Sequence, residues 1–228
     1  MRPVDKDAQP TSVAGTIVTF TTYPLSRRYL IDTIGEYCSY CERHIPTSLA
    51  VEHIQPKAHN DHLELVWSNL LLACTNCNST KGHTNVVLAD YYWPDRDNTF
   101  EKFSYDLSGL VKVNPLLNTI DAVKAQNIIS LVGLGRKQPN VGTRDWEEAS
   151  DRRHEHRLTA YVEANNYADN YKKATIEDRV KFLPFLKDIA KKGGFWSIWM
   201  HAFKDFPEVQ NELILLFKGT RQTFFDVL

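Results

Sequence analysis

Four cysteines stand in two short pairs, Cys38 and Cys41 in "CSYC", and Cys74 and Cys77 in "CTNC". The chain has no others. A two-residue spacer lets one tight knuckle aim both sulfurs at a single ion, and four thiolates suit tetrahedral zinc. In a cytoplasmic chain, disulfides between such pairs are disfavoured. The insert from Glu42 to Ala73 is longer than the roughly 15–20 residues of a simple zinc ribbon, so the ion would clamp the ends of something larger. Inside it lie Glu52-His53, in "LAVEHIQPKAH", and Asn69, in "WSNLLLAC". Asn78 follows the last cysteine, and Lys81 comes shortly after it in "CTNCNSTKG". Histidine titrates near neutral pH and can serve as a base. A glutamate offers carboxylate oxygen to a hard divalent cation. Alone on a strand, a Glu-His pair is ordinary solvated surface. Between two zinc knuckles it becomes a candidate working edge.

The order C-x2-C, acid-His, Ile, a Pro two residues later, Asn-Leu, and C-x2-C-Asn-x2-Lys-Gly resembles the HNH endonuclease family, the zinc-stapled ββα-metal nucleases. The matching segment runs from Cys38 to Gly82, about a fifth of the chain. "GEYCSYCERHIPTSLAVEHIQPK" followed by "NLLLACTNCNSTKG" further resembles the HNH subunit of Septu-type antiphage systems, PtuB. The resemblance implies hydrolysis of phosphodiester bonds in DNA. That reaction needs a base for water and positive charge on the phosphate. His53 would then activate the water. Glu52 and Asn78 would hold a catalytic divalent ion, Mg²⁺ or another. Asn69 would tie the strands together and hold the loop that orients His53. Cys38, Cys41, Cys74 and Cys77 would bind structural Zn²⁺. Lys81, near a helix start, is a candidate phosphate contact. Many members carry Asp or His where this chain has Glu52, which leaves the metal geometry open.

The same resemblance implies partners: a PtuA-like ABC- or SMC-type ATPase and, in retron-associated pairs, a reverse transcriptase with its RNA–DNA product. It also implies an activity kept silent until infection. Two rival readings keep the zinc fold: cleavage of RNA, for example tRNA, at the same site, and a non-catalytic adaptor.

Net charge is −1, from 27 basic and 28 acidic residues. Phosphate binders draw affinity from positive charge, so here it must be local or supplied by a partner. No apolar run approaches the roughly 20 residues of a membrane span. The first residues, "MRPVDKDAQP", carry acids and no apolar signal core, so a cytoplasmic location is expected.

For Glu52 and His53 to serve one site, their strand must end or bend near Ile54, since successive side chains point to opposite faces. Pro56 suits such an end. Residues 1–23 read as an N-terminal arm with a β-like "TIVTF". Residues 24–95 read as the nuclease module, entered by a helix carrying Leu30, Ile31, Ile34 and Tyr37. Residues 96–228 read as a hairpin around Asp106 to Gly109 and then helices, packing on the module and offering a possible docking face. Thr119 is expected to cap one helix. Asp145 to Ala174 reads as one long helix, Thr175 with Asp178 as a capping box, Pro184 as a kink or division, and Gly219 as the end of the last helix. Arg152, Arg153 and Arg157 are expected on a solvated face balanced by Glu147, Glu148 and Glu155, with contact to a phosphate backbone as the alternative, and His59 and His62 in a polar loop. His154, His156 and His201 are given no chemistry, and His44 and His83 have no assigned role. The expected fold class is α+β, mainly α: a zinc-stapled ββα-metal module with a helical C-terminal region.

Overall fold

The computed structural model describes residues 1–6 and 8–225. A 3-10 turn, Tyr23–Ser26, leads into helix α1, Arg27–Ile34. Its apolar spacing buries Leu30 and Ile34, and Gly35, with φ +78°, ends it before the first knuckle. Strand β1, Ala50–His53, pairs antiparallel with β2, Leu70–Ala73, placing Glu52 opposite Leu71 and His53 opposite Leu70. Every residue of β2 is buried. Three consecutive leucines removed from water contribute about 1.5–3 kcal/mol each, so the strand lies in the core rather than on a sheet surface. Helix α2, Thr75–Lys81, starts at Cys74, whose Sγ accepts the Cys77 N–H at 3.4 Å. It stops at Gly82, which has φ +52°.

The chain then forms the hairpin β3, Phe103–Tyr105, with β4, Val111–Val113, and helix α3, Thr119–Leu131. After it come α4, Arg144–Glu147; α5, Arg153–Lys173; α6, Ile176–Gly193; α7, Trp196–Ala202; and α8, Pro207–Leu216. The fold is α+β and mainly α. One apolar cluster gathers α1, the β1–β2 pair, the cysteines and the end of α3. A second, rich in aromatics, gathers α5 to α8 around Trp196, Trp199, Phe203 and Phe217. Tyr105 packs against both. Among the described residues no helix is long and apolar enough to cross a membrane.

The helical region grips the first knuckle. Glu42 accepts the Phe195 N–H on its carbonyl at 2.9 Å and the Ser197 N–H on its carboxylate at 2.7 Å. Gly194 sits so close that a Cβ would lie 2.5 Å from the Glu42 carbonyl oxygen, so only glycine fits this crossing.

Several expectations are corrected. The first residues are not a free arm: Met1, Arg2 and Val4 are buried, and Arg2 donates to the carbonyls of Ile34, Phe217 and Lys218. Val4 bridges Thr220, and "TIVTF" forms no strand beyond an isolated bridge between Thr11 and Ile17. Asn118, not Thr119, caps α3, because its side chain accepts the Asp121 N–H at 3.0 Å. The expected long helix is two, α4 and α5, interrupted where Ala149 takes φ +47°. Pro184 does not divide α6. It is exposed, so water can satisfy the carbonyl its missing N–H leaves free. The Thr175 cap is present, accepting the Asp178 N–H at 3.2 Å. Helix α8 ends at Leu216, ahead of Gly219.

The largest correction concerns the arginines. Arg152 is exposed and paired with Glu155 as expected, but Arg153 and Arg157 are buried. Arg157 donates to the Gly109 carbonyl of the hairpin at 2.6 Å. Their face of α5 is turned into the protein, where main-chain carbonyls take the place of water.

Candidate active site and metal centre

The two knuckles bring Cys38, Cys41, Cys74 and Cys77 together, all buried, with their sulfurs within 4.8 Å of one another. Cys41 and Cys74 sulfurs are 3.7 Å apart. A zinc tetrahedron with bonds of about 2.3 Å has an S–S edge of roughly 3.8 Å. The residues therefore fit a zinc ion in spacing, ligand type and number. Cys38 lies after α1, Cys41 in the turn beyond it, and Cys74 and Cys77 span the start of α2. One ion would fasten both ends of the β1–β2 unit.

At the far end of β1 is a pocket of about 210 Å³ lined by Tyr23, Glu52, His53, Lys57, Asn78 and His83, among others. Glu52 and His53 share its wall because the strand stops at His53. Asn78 reaches it from α2, which packs on β1. The His53 Nε2 lies 2.9 Å from the Glu64 carbonyl oxygen. A carbonyl only accepts, so Nε2 carries the hydrogen and the lone pair is left on Nδ1. The ring packs edge-on against Tyr23 at 4.8 Å. Burial lowers the His53 pKa below its usual 6.5, which favours the neutral, base-competent imidazole.

Asn69 does not line the pocket; it holds it. Its Oδ1 accepts the Gln55 N–H at 2.8 Å, and its Nδ2 donates to the carbonyls of Gln55 at 3.0 Å and Leu63 at 3.3 Å. These bonds join the entry of β2 to the segment after His53 and to the turn that supplies the Glu64 carbonyl.

The structure gives Lys81 a different place from the one expected. It is 1% exposed, with its ammonium 2.8 Å from the Glu52 carboxylate and donating to the His53 carbonyl at 2.7 Å. A lysine sealed by two such partners is not offered to a phosphate. Burial raises the Glu52 pKa, with Lys81 opposing that rise. The carboxylate is thus partly balanced before any other cation arrives.

Sequence reasoning missed Tyr23, Lys57 and His83. Lys57 pairs with Glu64 at 2.8 Å and lies over the Tyr23 ring at 4.5 Å. Tyr23 carries no local signal, being far from the motif in sequence. His83 directly follows Gly82 and lies where α2 turns back to the pocket. His59 faces the His83 carbonyl at 3.1 Å and, like His62, is exposed.

Residues 38–84 match the HNH endonuclease family model. Over 110 residues the chain is 31% identical to Septu protein PtuB from Bacillus thuringiensis, an alignment covering 43% of this chain and 43% of that protein. The match therefore spans less than half the length of that relative. A family match, a strand–strand–helix order and four clustered cysteines coincide on residues 38–84, the segment that is similar to HNH endonucleases, within a chain similar to a Septu PtuB.

Proposed function

We propose that this chain is the nuclease effector of a Septu-type antiphage system, hydrolysing phosphodiester bonds of DNA at His53. One observation carries the reading: the His53 imidazole, with Nε2 committed to the Glu64 carbonyl, lines a pocket that Glu52 and Asn78 also line. An adaptor that kept only the zinc fold has no need of that assembly. His53 Nδ1 takes the proton of the attacking water. Glu64 fixes the tautomer, and Asn69 holds the loop that carries Glu64 in register. Glu52 and Asn78 would hold a divalent ion, since a carboxylate and an amide oxygen are hard donors. When bound, Mg²⁺ or a similar ion supplies positive charge to the scissile phosphate and leaving oxygen. Lys57, half-exposed in its pairing with Glu64, is better placed than Lys81 to meet phosphate.

The net charge of −1 gives little general attraction to a polyanion. A PtuA-like ATPase partner that captures substrate and restrains the nuclease fits that balance and the similarity to PtuB. Co-purification from the native host reads out the partner directly: an ATPase alone, or one joined by a retron reverse transcriptase and its RNA–DNA product. The activity test compares the complex carrying wild-type chain with one carrying His53→Ala, on plasmid DNA and on tRNA with Mg²⁺. Nicking by wild type and its loss in His53→Ala is the expected result. A His53→Ala complex that cleaves like wild type sinks the assignment, and sequencing the cleaved ends decides DNA against RNA.

A further inference from the structure

Helix α5 sends one side chain into the cysteine cluster. Arg153 is 2% exposed, and its Nη1 lies 3.2 Å from the Cys77 sulfur. The same Nη1 donates to the Val132 carbonyl at 2.6 Å. Nη2 donates to the Gly133 carbonyl at 3.1 Å and to the Asp151 carboxylate at 2.6 Å, and Nε to Asp151 at 2.9 Å. Gly133 makes the approach possible: it has φ +67°, and a Cβ there would lie 3.1 Å from the Arg153 Nη2.

We infer that Arg153 is an outer-sphere donor to the zinc centre, its guanidinium hydrogen-bonding the Cys77 thiolate and coupling retention of the ion to helix α5. A neutral thiol is a poor acceptor and a weak reason to bury a guanidinium, whereas a thiolate forms the stronger, charge-assisted bond. Asp151 offsets the single guanidinium charge, so what Arg153 adds at Cys77 is a firmly held N–H donor. Zinc with four thiolates keeps surplus negative charge, and in a buried site that surplus must be met by cations or N–H donors. Arg153 meets it at Cys77. Arg43, anchored by its bond to Asn76 at 2.9 Å, adds positive charge near Cys41 and Cys74. A donor on a metal-bound thiolate stabilises the charge left on sulfur and tunes how firmly the ion is held. The bond also ties α5 to α2, one residue from Asn78. This inference rests on the zinc assignment and not on the nuclease reading.

The test uses full-length, zinc-loaded protein and a chromophoric chelator in competition. Arg153→Gln is expected to weaken zinc roughly 10–100-fold. Arg153→Lys, which keeps the charge but not the fork, should lose less. Arg152→Gln, at the exposed neighbour, should match wild type. A second measurement needs no variant. With ¹¹³Cd replacing zinc in the wild-type protein, a scalar correlation between cadmium and the Arg153 guanidinium protons is expected through the hydrogen bond. Wild-type zinc affinity in a folded Arg153→Gln protein overturns the inference, as does absence of that correlation. If Arg153→Gln does not fold, the cadmium measurement decides alone.

Discussion

Lys81 and Glu52 form a buried ion pair at 2.8 Å, and the same ammonium caps the main chain of His53. A residue expected to face substrate instead braces the strand end that carries Glu52 and His53. Removing one member of such a pair leaves a largely buried charge without its partner. Lys81→Met should therefore cost about 3–5 kcal/mol in urea unfolding of the zinc-loaded protein. Combining it with Glu52→Gln should recover part of that loss, because the second change removes the stranded charge. Strictly additive losses would mean the two side chains do not depend on each other.

Asn69→Ala removes three hydrogen bonds and leaves the Gln55 N–H and carbonyl without their partner. These groups are partly buried, and a fully buried one left unsatisfied costs about 1–3 kcal/mol, so a loss of about 1–2 kcal/mol is expected by denaturant titration. Hydrogen exchange at Gln55 should quicken in the same variant. Unchanged protection there would show that the loop is held by something else.

Cys74→Ser removes a zinc ligand while the serine hydroxyl can still cap α2. Because the ion's binding energy is part of the folding energy, the variant should lose zinc by elemental analysis and lose its cooperative thermal transition. Excess strong chelator should do the same to wild type. A Cys74→Ser protein that keeps one zinc per chain and melts sharply would remove this cysteine from the site.

His201 supplies a pH dependence away from any ligand. Its ring stacks on Phe100 at 4.6 Å, and burial lowers its pKa to about 4. The folded protein thus keeps it neutral while the unfolded chain takes up a proton near 6.5. Below that value the unfolded state binds the extra proton, so stability falls as pH drops from 6.5 towards 4. Between pH 7 and pH 5 this group should account for about 2 kcal/mol of lost stability. His201→Gln, unable to take that proton, should lose correspondingly less over the same interval in denaturant titrations. Parallel pH profiles for the two proteins would assign the acid sensitivity elsewhere.

Local spacing was enough for the centre of this protein. Two C-x2-C pairs, an acid-histidine at a strand end, an asparagine before the second strand and another on the helix after the last cysteine are all read within Cys38 to Gly82. Their relation follows from the two C-x2-C knuckles and the antiparallel β1–β2 pair that they flank. The Thr175 cap and the Asp106–Gly109 hairpin were legible for the same reason. Burial of charge was not. Arg152 and Arg153 are neighbours on a polar stretch, yet one faces water and the other the cysteine cluster. Periodicity reads charged residues as solvent-facing, and only the distant partners (Cys77, Val132 and Gly133 for Arg153, Glu52 for Lys81) reverse that rule. Tyr23 at the His53 ring and Met1 to Val4 in the core belong to the same class. The sequence by itself brought out the four clustered cysteines and the Glu52, His53 and Asn78 that line one pocket. The tertiary structure alone decided which charges are sealed inside, because the energy of a buried charge depends on acceptors that packing brings from far along the chain.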